Sequence, residues 1–445
     1  MADAHGTGTM FGADPFWLSA GILIVTYVVI MTERLNRAVV ALLGAGIMII
    51  TGVLSQEQAI RGIDFNTIGL LTGMMIIVAI TRKSGVFEYV AIQTARLGRA
   101  SPPRILLLLA VVTALLSALL DNVTTVLLIA PVTLSLTREL RVPAYPFLFA
   151  EIFASNIGGT ATLIGDPPNI LIGSLVGLSF NQFLIHLAPV VLVVLAVQCL
   201  MVHALWGRSL RATPEDRAHV LAMDARSSIK DRRLLKLSLG VTAAVVIAFV
   251  LARLIHLEPG TIAMLGAALL LMLDNYHRRA EEQTHGVHES FTQVEWITIF
   301  FFVGLFIVVA GVEHAGVLGW FAGELTAATG GAQDATAYAI LWSSAILSAV
   351  IDNIPFVATM IPVIKSMAPA LGGQEQLMPL WWALSLGACL GGNGTLIGAS
   401  ANLTVAGIAE RSGVPFRFLT YLKYAFPMML VSIAIAQLYV WLRYF

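Results

Sequence analysis

Charged residues are scarce in this chain of 445 residues: only 12% are Asp, Glu, Lys or Arg, whereas 58% are hydrophobic. Soluble domains average about 25% charged residues, so an ordinary soluble protein is excluded. The 26 basic and 26 acidic residues give a net charge of zero, which argues against a nucleic-acid partner. The two cysteines, Cys199 and Cys389, lie in apolar runs and indicate neither a disulfide nor a zinc site. The sequence indicates no cofactor.

Two further patterns are missing. The alternation over about ten residues that marks a membrane β-barrel is absent. The first ten residues, MADAHGTGTM, contain no basic segment, so no cleavable signal peptide is expected. Instead, apolar stretches of roughly 17–25 residues recur along the chain, which is the length that crosses a bilayer as a helix. The sequence therefore predicts an all-α protein with many membrane spans.

The apolar stretches are of three kinds. A polar linker at 207–236 separates the stretches of the first half of the chain from those of the second half. Simple spans are predicted at 17–32, 38–54, 67–82, 183–206, 237–256, 260–274, 296–313 and 419–443. Two longer stretches, 105–137 and 337–369, have a polar centre. Two others, 146–175 and 379–408, are interrupted by glycines, threonines and asparagines.

The polar-centred stretches repeat each other. LSALLDNVTTVLLIAPV at 116–132 aligns with LSAVIDNIPFVATMIPV at 347–363, which pairs Asp121 with Asp352 (352 − 121 = 231). The matches fall on polar and proline positions, which a shared apolar bias would not produce.

The interrupted stretches repeat as well. NIGGTATLIGDPPN ends at Asn169 and GGNGTLIGASAN ends at Asn402, which gives an offset of 233 (402 − 169). We therefore predict two repeats, residues 1–206 and 237–445, joined by the linker 207–236. Internal repeats with paired interruptions are typical of secondary transporters.

Basic residues predict the orientation of the first polar-centred stretch. Residues 82–104 contain five Lys or Arg and one Glu, and Arg138 and Arg141 follow residues 105–137. Lys and Arg are enriched on the cytoplasmic side, so both ends of this stretch are predicted there. It is then a re-entrant hairpin whose polar tip lies within the protein. Two full crossings joined by a tight external turn would fit the same flanks.

Counting crossings from this hairpin places the N-terminus outside and the linker inside. The second hairpin then opens to the exterior. Each half has five crossings, an odd number, so the two repeats are predicted to be inverted. The predicted fold is two inverted repeats of five transmembrane helices, each with a re-entrant hairpin and a broken helix.

The broken helices supply candidate substrate-binding residues. A break exposes backbone N–H and C=O groups at membrane depth, and Pro167 and Pro168 cannot continue helical hydrogen bonding. Hydroxyl and carboxamide side chains can bind a ligand without a fixed charge. The candidates are Thr160, Thr162, Asn169, Asn393, Thr395 and Asn402. Small residues at such positions can also serve close helix packing.

Three acidic residues are candidates for ion or proton coupling. Asp121 and Asp352 lie at the polar tips, and Asp166 follows the first break, where the second repeat has Ala399. An ionisable residue inside a membrane segment indicates function by default. Each carboxylate can take up a proton or coordinate a cation; alternatively, each caps the helix that follows. Glu151, before the first break, could line the path or be a packed carboxylate.

At these residues the chain resembles the ion transporter superfamily, which includes arsenite permeases, sodium/proton antiporters, citrate and dicarboxylate carriers and the pigment-cell P protein. LDNVTTVLLIAPVTLSL and SNIGGTATLIGDPPNILIGS look like hallmark stretches of the P-protein and arsenite-permease branch. The resemblance covers about residues 20–445. It implies inverted repeats, opposed hairpins, broken helices and, in many members, a homodimer.

The resemblance also implies binding residues at the hairpin tips. Asn122 and Thr124 match the first tip of the family, and Asn353 matches the second. Dicarboxylate carriers have Ser-Asn-Thr at both tips, whereas this chain has Asp-Asn-Val and Asp-Asn-Ile. The two aspartates would repel a multivalent carboxylate unless they were protonated.

Three kinds of transport remain open. The first choice is proton-coupled efflux of arsenite or antimonite across the plasma (inner) membrane, for which a cytoplasmic ATPase could be a partner. Sodium/proton antiport and transport of an organic or inorganic anion are the alternatives. A membrane enzyme is not favoured, because Asp121 and Asp352 are predicted on hairpins that open to opposite faces and no nucleophile–base pair accompanies them.

Overall fold

The computed structural model describes residue 9, residues 12–32 and residues 34–445. Most of the segment in which no signal peptide is expected lies outside the described residues. Within the described part the chain forms 22 α-helices and no β-strand. The prediction of an all-α polytopic membrane protein is confirmed.

The first half contains ten helices. They are α1 (Pro15–Met31), α2 (Arg37–Ile50), α3 (Gln56–Arg61), α4 (Phe65–Lys83), α5 (Val86–Leu97), α6 (Pro102–Leu119), α7 (Asn122–Glu139), α8 (Tyr145–Thr160), α9 (Pro167–Val176) and α10 (Phe180–Val202).

The linker contributes α11 (Pro214–Ala222), and the second half contains the rest. They are α12 (Arg232–Ile255), α13 (Pro259–Asn275), α14 (Ala280–Thr292), α15 (Trp296–His314), α16 (Val317–Ala328), α17 (Gln333–Val350), α18 (Asn353–Ser366), α19 (Ala368–Leu371), α20 (Met378–Gly391), α21 (Ser400–Arg411) and α22 (Phe418–Tyr444).

Among the described residues, six helical segments are long and apolar enough to cross a membrane by themselves. Five are α4, α6, α12, α15 and α22, and the sixth is α10 with its extension to Gly207. Many helices begin at a signal that the sequence contains. The side chains of Asp14, Asn36, Asp64 and Asp231 cap α1, α2, α4 and α12, because a cap oxygen satisfies backbone N–H groups that the first turn leaves free.

Some predicted boundaries and loops need correction. α12 begins at Arg232, so the end of the predicted linker 207–236 is helical, and α11 lies within the linker. Residues 82–104, 275–295 and 314–336, which lie outside the predicted spans, contain α5, α14 and α16. Hydropathy over the length of a membrane span misses polar helices, helices of only 12 residues such as α5 and α16, and the polar first turn of α12.

The helix bounds repeat in the two halves. α4, α5 and α6 are each followed 231 residues later by a helix of the same length, namely α15, α16 and α17. α9 and α21 begin 233 residues apart (400 − 167). The inverted orientation of the repeats stays a prediction.

Two long helix pairs each combine one helix from the first half with one from the second half. α2 of the first half packs along α15 of the second half, and α13 of the second half packs along α4 of the first half. Gly73 lies against Ala263 in one of these pairs, and Gly304 lies against Ala41 in the other. Each half therefore contributes a helix that packs against a long helix of the other half.

Candidate functional site

Both interrupted spans are broken helices. In the first, α8 ends at Thr160 and α9 begins at Pro167, so residues 161–166 form break 1. In the second, α20 ends at Gly391 and α21 begins at Ser400, so residues 392–399 form break 2. Asp166 and Ala399, the last residues of the two breaks, have nearly the same extended backbone.

Two of the predicted asparagines brace the breaks. The Asn169 amide donates to the carbonyl oxygens of Thr160 (3.0 Å) and Thr162 (2.9 Å). The Asn402 amide donates in the same way to those of Gly392 (2.7 Å) and Thr395 (2.8 Å). These bonds satisfy carbonyl groups that a broken helix leaves without a partner.

Threonines join the breaks to the preceding polar-centred segments. We call α6 with α7 hairpin 1, and α17 with α18 hairpin 2. Thr162 donates to the carbonyl of Ala118 in hairpin 1 (2.6 Å). Thr395 donates to that of Ala349 in hairpin 2 (2.5 Å). Thr160 donates within its own helix, to the carbonyl of Asn156.

Glycine lets each hairpin approach its broken helix. A Cβ atom at Gly158 would collide with the backbone of Ala114, and one at Gly391 would collide with the backbone of Ala345. Both contacts are between a hairpin arm and a broken helix. The glycines of the two motifs therefore serve backbone contact, which only glycine allows at such distances.

The tip of hairpin 1 ends at break 1. The backbone N–H of Asn122 donates to the carbonyl of Gly165 (3.1 Å), and Asn122 is only 2% exposed. A tight external turn would lie at the surface, so this contact supports the re-entrant hairpin over two full crossings.

A chain of buried amides connects the two halves at the centre. The Asn122 amide donates to the side-chain oxygens of Asn156 (3.0 Å) and Asp166 (3.2 Å). The Asn156 amide donates in turn to those of Asn393 and Asn402, both at 2.9 Å. We call these five residues the central cluster. It joins hairpin 1 and both broken helices.

Asp166 does not cap the helix that follows it. Its side chain makes no cap hydrogen bond, because Pro167 and Pro168 at the start of α9 have no N–H to donate. One carboxylate oxygen accepts the bond from Asn122, and the other has no partner among the described residues. Asp166 is 1% exposed, so this oxygen is buried without a hydrogen-bond partner, which makes it a candidate position for a proton or a ligand.

Other polar atoms of the hairpin tips and breaks are also buried and without a partner in the described structure. They are Oδ1 of Asn122, Nδ2 of Asn353 and Nδ2 of Asn393. The side chain of Asn353, at the tip of hairpin 2, lies beside Asp166. Buried polar groups are normally satisfied, so these unpartnered acceptors and donors mark the hairpin tips and breaks as a candidate solute site.

The two tip aspartates both cap helices but differ in their surroundings. Asp121 caps α7 and accepts bonds from the backbone N–H (2.8 Å) and the hydroxyl of Thr124. Asp352 caps α18 and forms an ion pair with Arg37 of α2 (2.6 Å). The prediction treated the two residues as equivalent, whereas only Asp352 has a basic partner.

Comparison of the two repeats did not indicate four residues of the site, which are Asn156, Ser385, Cys389 and Arg37. Asn156 lies within the first motif, but its repeat position is occupied by Cys389 (389 − 156 = 233), so the comparison gave no signal. Ser385 donates to the Asn169 side-chain oxygen (2.5 Å), and Cys389 lies 3.6 Å from the same atom. Arg37 lies just before the predicted span 38–54 and was not among the predicted site residues.

Glu151 is buried in α8 with 0% exposure. The hydroxyl of Thr133 in α7 donates to one of its oxygens, and the other has no partner in the described structure. Of its two expected roles, a packed carboxylate is supported by the burial. The unsatisfied oxygen is the feature that packing does not explain.

The chain has many apolar helices, and the ends of its broken helices meet the hairpin tips around a buried polar cluster. This arrangement is that of a membrane transporter rather than an enzyme. A family model described as citrate transporter (CitMHS) matches residues 27–387. The chain therefore belongs to the citrate transporter family, within the ion transporter superfamily that its motifs resemble.

Relatives agree with this assignment. An uncharacterized transporter of Mycobacterium tuberculosis is 45% identical over 428 residues, which are 95% of this chain and 97% of that protein. The 46 kDa membrane protein of Mycobacterium leprae is 44% identical over 427 residues, again 95% and 97% of the two chains. The human P protein is 35% identical over 506 residues, covering 95% of this chain and 59% of the P protein.

The fold has a solved counterpart. The YdaH transporter of Alcanivorax borkumensis superposes with a TM-score of 0.60 over 96% of this chain and 98% of its own, at 14% sequence identity. At this identity the likeness establishes the fold alone.

Proposed function

We propose that the protein is a proton-coupled secondary transporter of a small inorganic solute, with arsenite or antimonite efflux as the first candidate. The observation that carries the proposal is the buried carboxyl of Asp166, with one oxygen unpartnered at the centre of a carboxamide cluster. The one acid of the central cluster, whose other members are carboxamides, can gain or lose a proton as a solute enters or leaves.

The chemistry of the cluster supports an uncharged hydroxylated solute. Arsenite at neutral pH is mostly a small trihydroxide, and each hydroxyl group can both donate and accept a hydrogen bond. The unpartnered atoms offer acceptors at Asp166 and Asn122 and donors at Asn353 and Asn393. Asn169, Asn402, Thr160, Thr162 and Thr395 would then hold the breaks in shape around the solute.

Sodium/proton antiport is the second candidate. It is favoured by the two unpartnered oxygens, of Asp166 and Asn122, because carboxylate and amide oxygens are suitable ligands for a hard cation. An anion would have to approach Asp166 without a basic residue in the central cluster.

We further propose a plasma-membrane location with the N-terminus outside and the linker inside. The basic residues of 82–104 support this orientation. A homodimer and a cytoplasmic ATPase partner are expectations from the resemblance alone. The proposed mechanism is alternating access to the central cluster from the two sides.

The test is solute flux into proteoliposomes under an imposed pH gradient, comparing arsenite, sodium and citrate. Asp166→Asn is expected to reduce pH-driven flux at least tenfold, because the asparagine cannot take up the proton. The exposed Asp334 offers the matched control, and Asp334→Asn is expected to leave the flux unchanged.

Each outcome of the flux measurement decides between candidates. Saturable arsenite flux driven by the pH gradient supports the first. Sodium flux without arsenite flux replaces it with the second. Citrate flux alone, or no dependence on Asp166, would overturn the proposal.

A further inference from the structure

The ion pair of Arg37 and Asp352 joins distant parts of the chain. Arg37 is the first residue of α2, in the first half, whereas Asp352 lies at the tip of hairpin 2, in the second half. Nη1 of Arg37 is 2.6 Å from the Asp352 carboxylate and 2.7 Å from the hydroxyl of Ser400, the first residue of α21. One guanidinium group therefore holds hairpin 2 and the second broken helix against α2.

A second carboxylate lies on the other side of Arg37. Nη2 of Arg37 donates to the Thr298 hydroxyl (3.1 Å), which donates to the carboxylate of Glu295 (3.2 Å). Glu295 immediately precedes α15, and α15 packs along α2. Arg37 is therefore bonded to Asp352 directly and to Glu295 through one hydroxyl group, and its guanidinium group has five N–H donors in a planar fork with which to bind more than one acceptor.

There is space for the hairpin tip to move. A cavity of about 300 Å³ adjoins the ion pair, and Arg37, Asp352 and Ser400 are its polar lining residues. The side chains of Arg37 and Asp352 are 25% and 15% exposed. A pair at the edge of a cavity separates at lower cost than one fully enclosed in protein, where each charge would lose its partner without gaining water.

The described residues of the first half contain no equivalent ion pair at the tip of hairpin 1. α13, the helix that packs along α4 as α2 packs along α15, begins with Pro259 instead of an arginine. Asp121 accepts side-chain bonds only from Thr124 of its own helix. The two hairpins are otherwise closely alike, so the basic partner of Asp352 is not a requirement of the fold.

We propose that Arg37 is a positioning residue for transport that exchanges its carboxylate partner between Asp352 and Glu295. While Arg37 binds Asp352, hairpin 2 is held against α2. When Arg37 binds Glu295, the hairpin is free to separate. Since a group shifts an equilibrium only by its different interactions in the two states, removal of one carboxylate has the opposite effect to removal of the other.

The exchange can be measured as a distance, without knowledge of the transported solute. Spin labels are attached at Leu43→Cys on α2 and Ile346→Cys on hairpin 2, both of which are exposed positions, in a chain with Cys199→Ala. Double electron–electron resonance in nanodiscs then gives the distribution of label distances. Because no solute is required, the failure of arsenite flux would leave this test valid.

The distribution of label distances is expected to shift in opposite directions in the two carboxylate variants. Glu295→Gln favours the hairpin-bound population, and Asp352→Asn moves the distribution towards longer distances. Arg37→Gln has the same effect as Asp352→Asn. Arg37→Lys keeps the charge and restores both populations in part, since an ammonium group lacks the planar fork. Shifts in the same direction for the two carboxylate variants, or no shift, would overturn the proposal.

Turnover supplies an independent readout. With whichever of arsenite, sodium or citrate shows flux, Glu295→Gln is expected to lower kcat about tenfold and change KM less than twofold, because it acts on hairpin movement and not on the central cluster. An increase in KM with unchanged kcat would place Glu295 in solute binding instead. If Asp352→Asn does not fold, the distance shift of Glu295→Gln alone decides.

Discussion

At the scale of single residues, three aspartates in comparable positions have different surroundings. Asp121 is hydrogen-bonded within its own helix, Asp352 is paired with a distant arginine, and Asp166 belongs to the central cluster and has an unpartnered oxygen. A carboxyl group without a basic partner is the one best able to gain and lose a proton. Coupling is therefore expected to depend on Asp166 and Asp121, while Asp352 serves the hairpin.

Asp121 can be tested without disturbing its cap. Asparagine caps helices about as well as aspartate, so Asp121→Asn is expected to keep the thermal stability of the protein while abolishing proton-coupled flux. The measurements are pH-driven flux in proteoliposomes and thermal unfolding in detergent. Asp14→Asn, at the cap of α1, is the control with the same chemistry far from the site. Normal flux in Asp121→Asn would remove this residue from coupling.

At the scale of helices, the breaks depend on contacts that begin outside them. Each break is braced by an asparagine from the following half-helix and joined by a threonine to the preceding hairpin. Glycine at 158 and 391 allows the hairpin arm to touch the broken helix. The hairpin and the broken helix of each half therefore form one packed unit.

Gly158→Ala is expected to force these two elements apart. The new methyl group would collide with the backbone of Ala114, and overpacking of this kind typically costs about 1–3 kcal/mol. We expect a lower temperature of unfolding, measured by tryptophan fluorescence, together with slower solute flux.

Gly240→Ala is the matched control for this substitution. Gly240 lies within α12 and has no atom within 4 Å of an added Cβ. Alanine is the better helix former by about 1 kcal/mol, so this variant is expected to be as stable as the natural protein or more so. Equal stability of the two variants would show that the contact at Gly158 is not tight.

At the scale of the whole molecule, the two repeats are interlocked. α2 packs along α15 and α13 packs along α4, so each repeat lacks a partner for two of its long apolar surfaces when it is alone. Asn156 adds a polar connection between the halves. The predicted repeats 1–206 and 237–445 are therefore not expected to behave as independent folding units.

This expectation can be tested by cutting the chain within the linker. Residues 1–210 and 211–445, produced together, are expected to assemble and elute as one species in detergent. Either segment produced alone is expected to aggregate, because its helix faces lack their partners. A single segment that elutes as a stable, folded monomer would contradict the interlocked arrangement.

Much of the molecule could be predicted from the sequence because its signals are local. The length of the apolar runs, the prolines at 167 and 168 and the repeated Asp–Asn tips each depend on neighbouring residues. They were sufficient for the all-α class, the spans within a few residues, the two breaks and most of the central residues. The polar helices α11 and α14 were missed because apolar periodicity does not mark them.

Only the tertiary structure decided which polar groups have a hydrogen-bond or ion-pair partner and which remain unpartnered. The bond between Arg37 and Asp352 joins residues 315 positions apart, and Asn156 reaches Asn393 across 237 positions. No local pattern encodes such contacts, and the repeat could not reveal them because neither has a counterpart in the other half. The sequence by itself determined a membrane protein with two broken helices, since hydropathy and helix breaking are properties of adjacent residues. The structure decided that Asp352 has a basic partner and that Asp166 has none among the described residues, because burial and charge pairing depend on which distant helices meet.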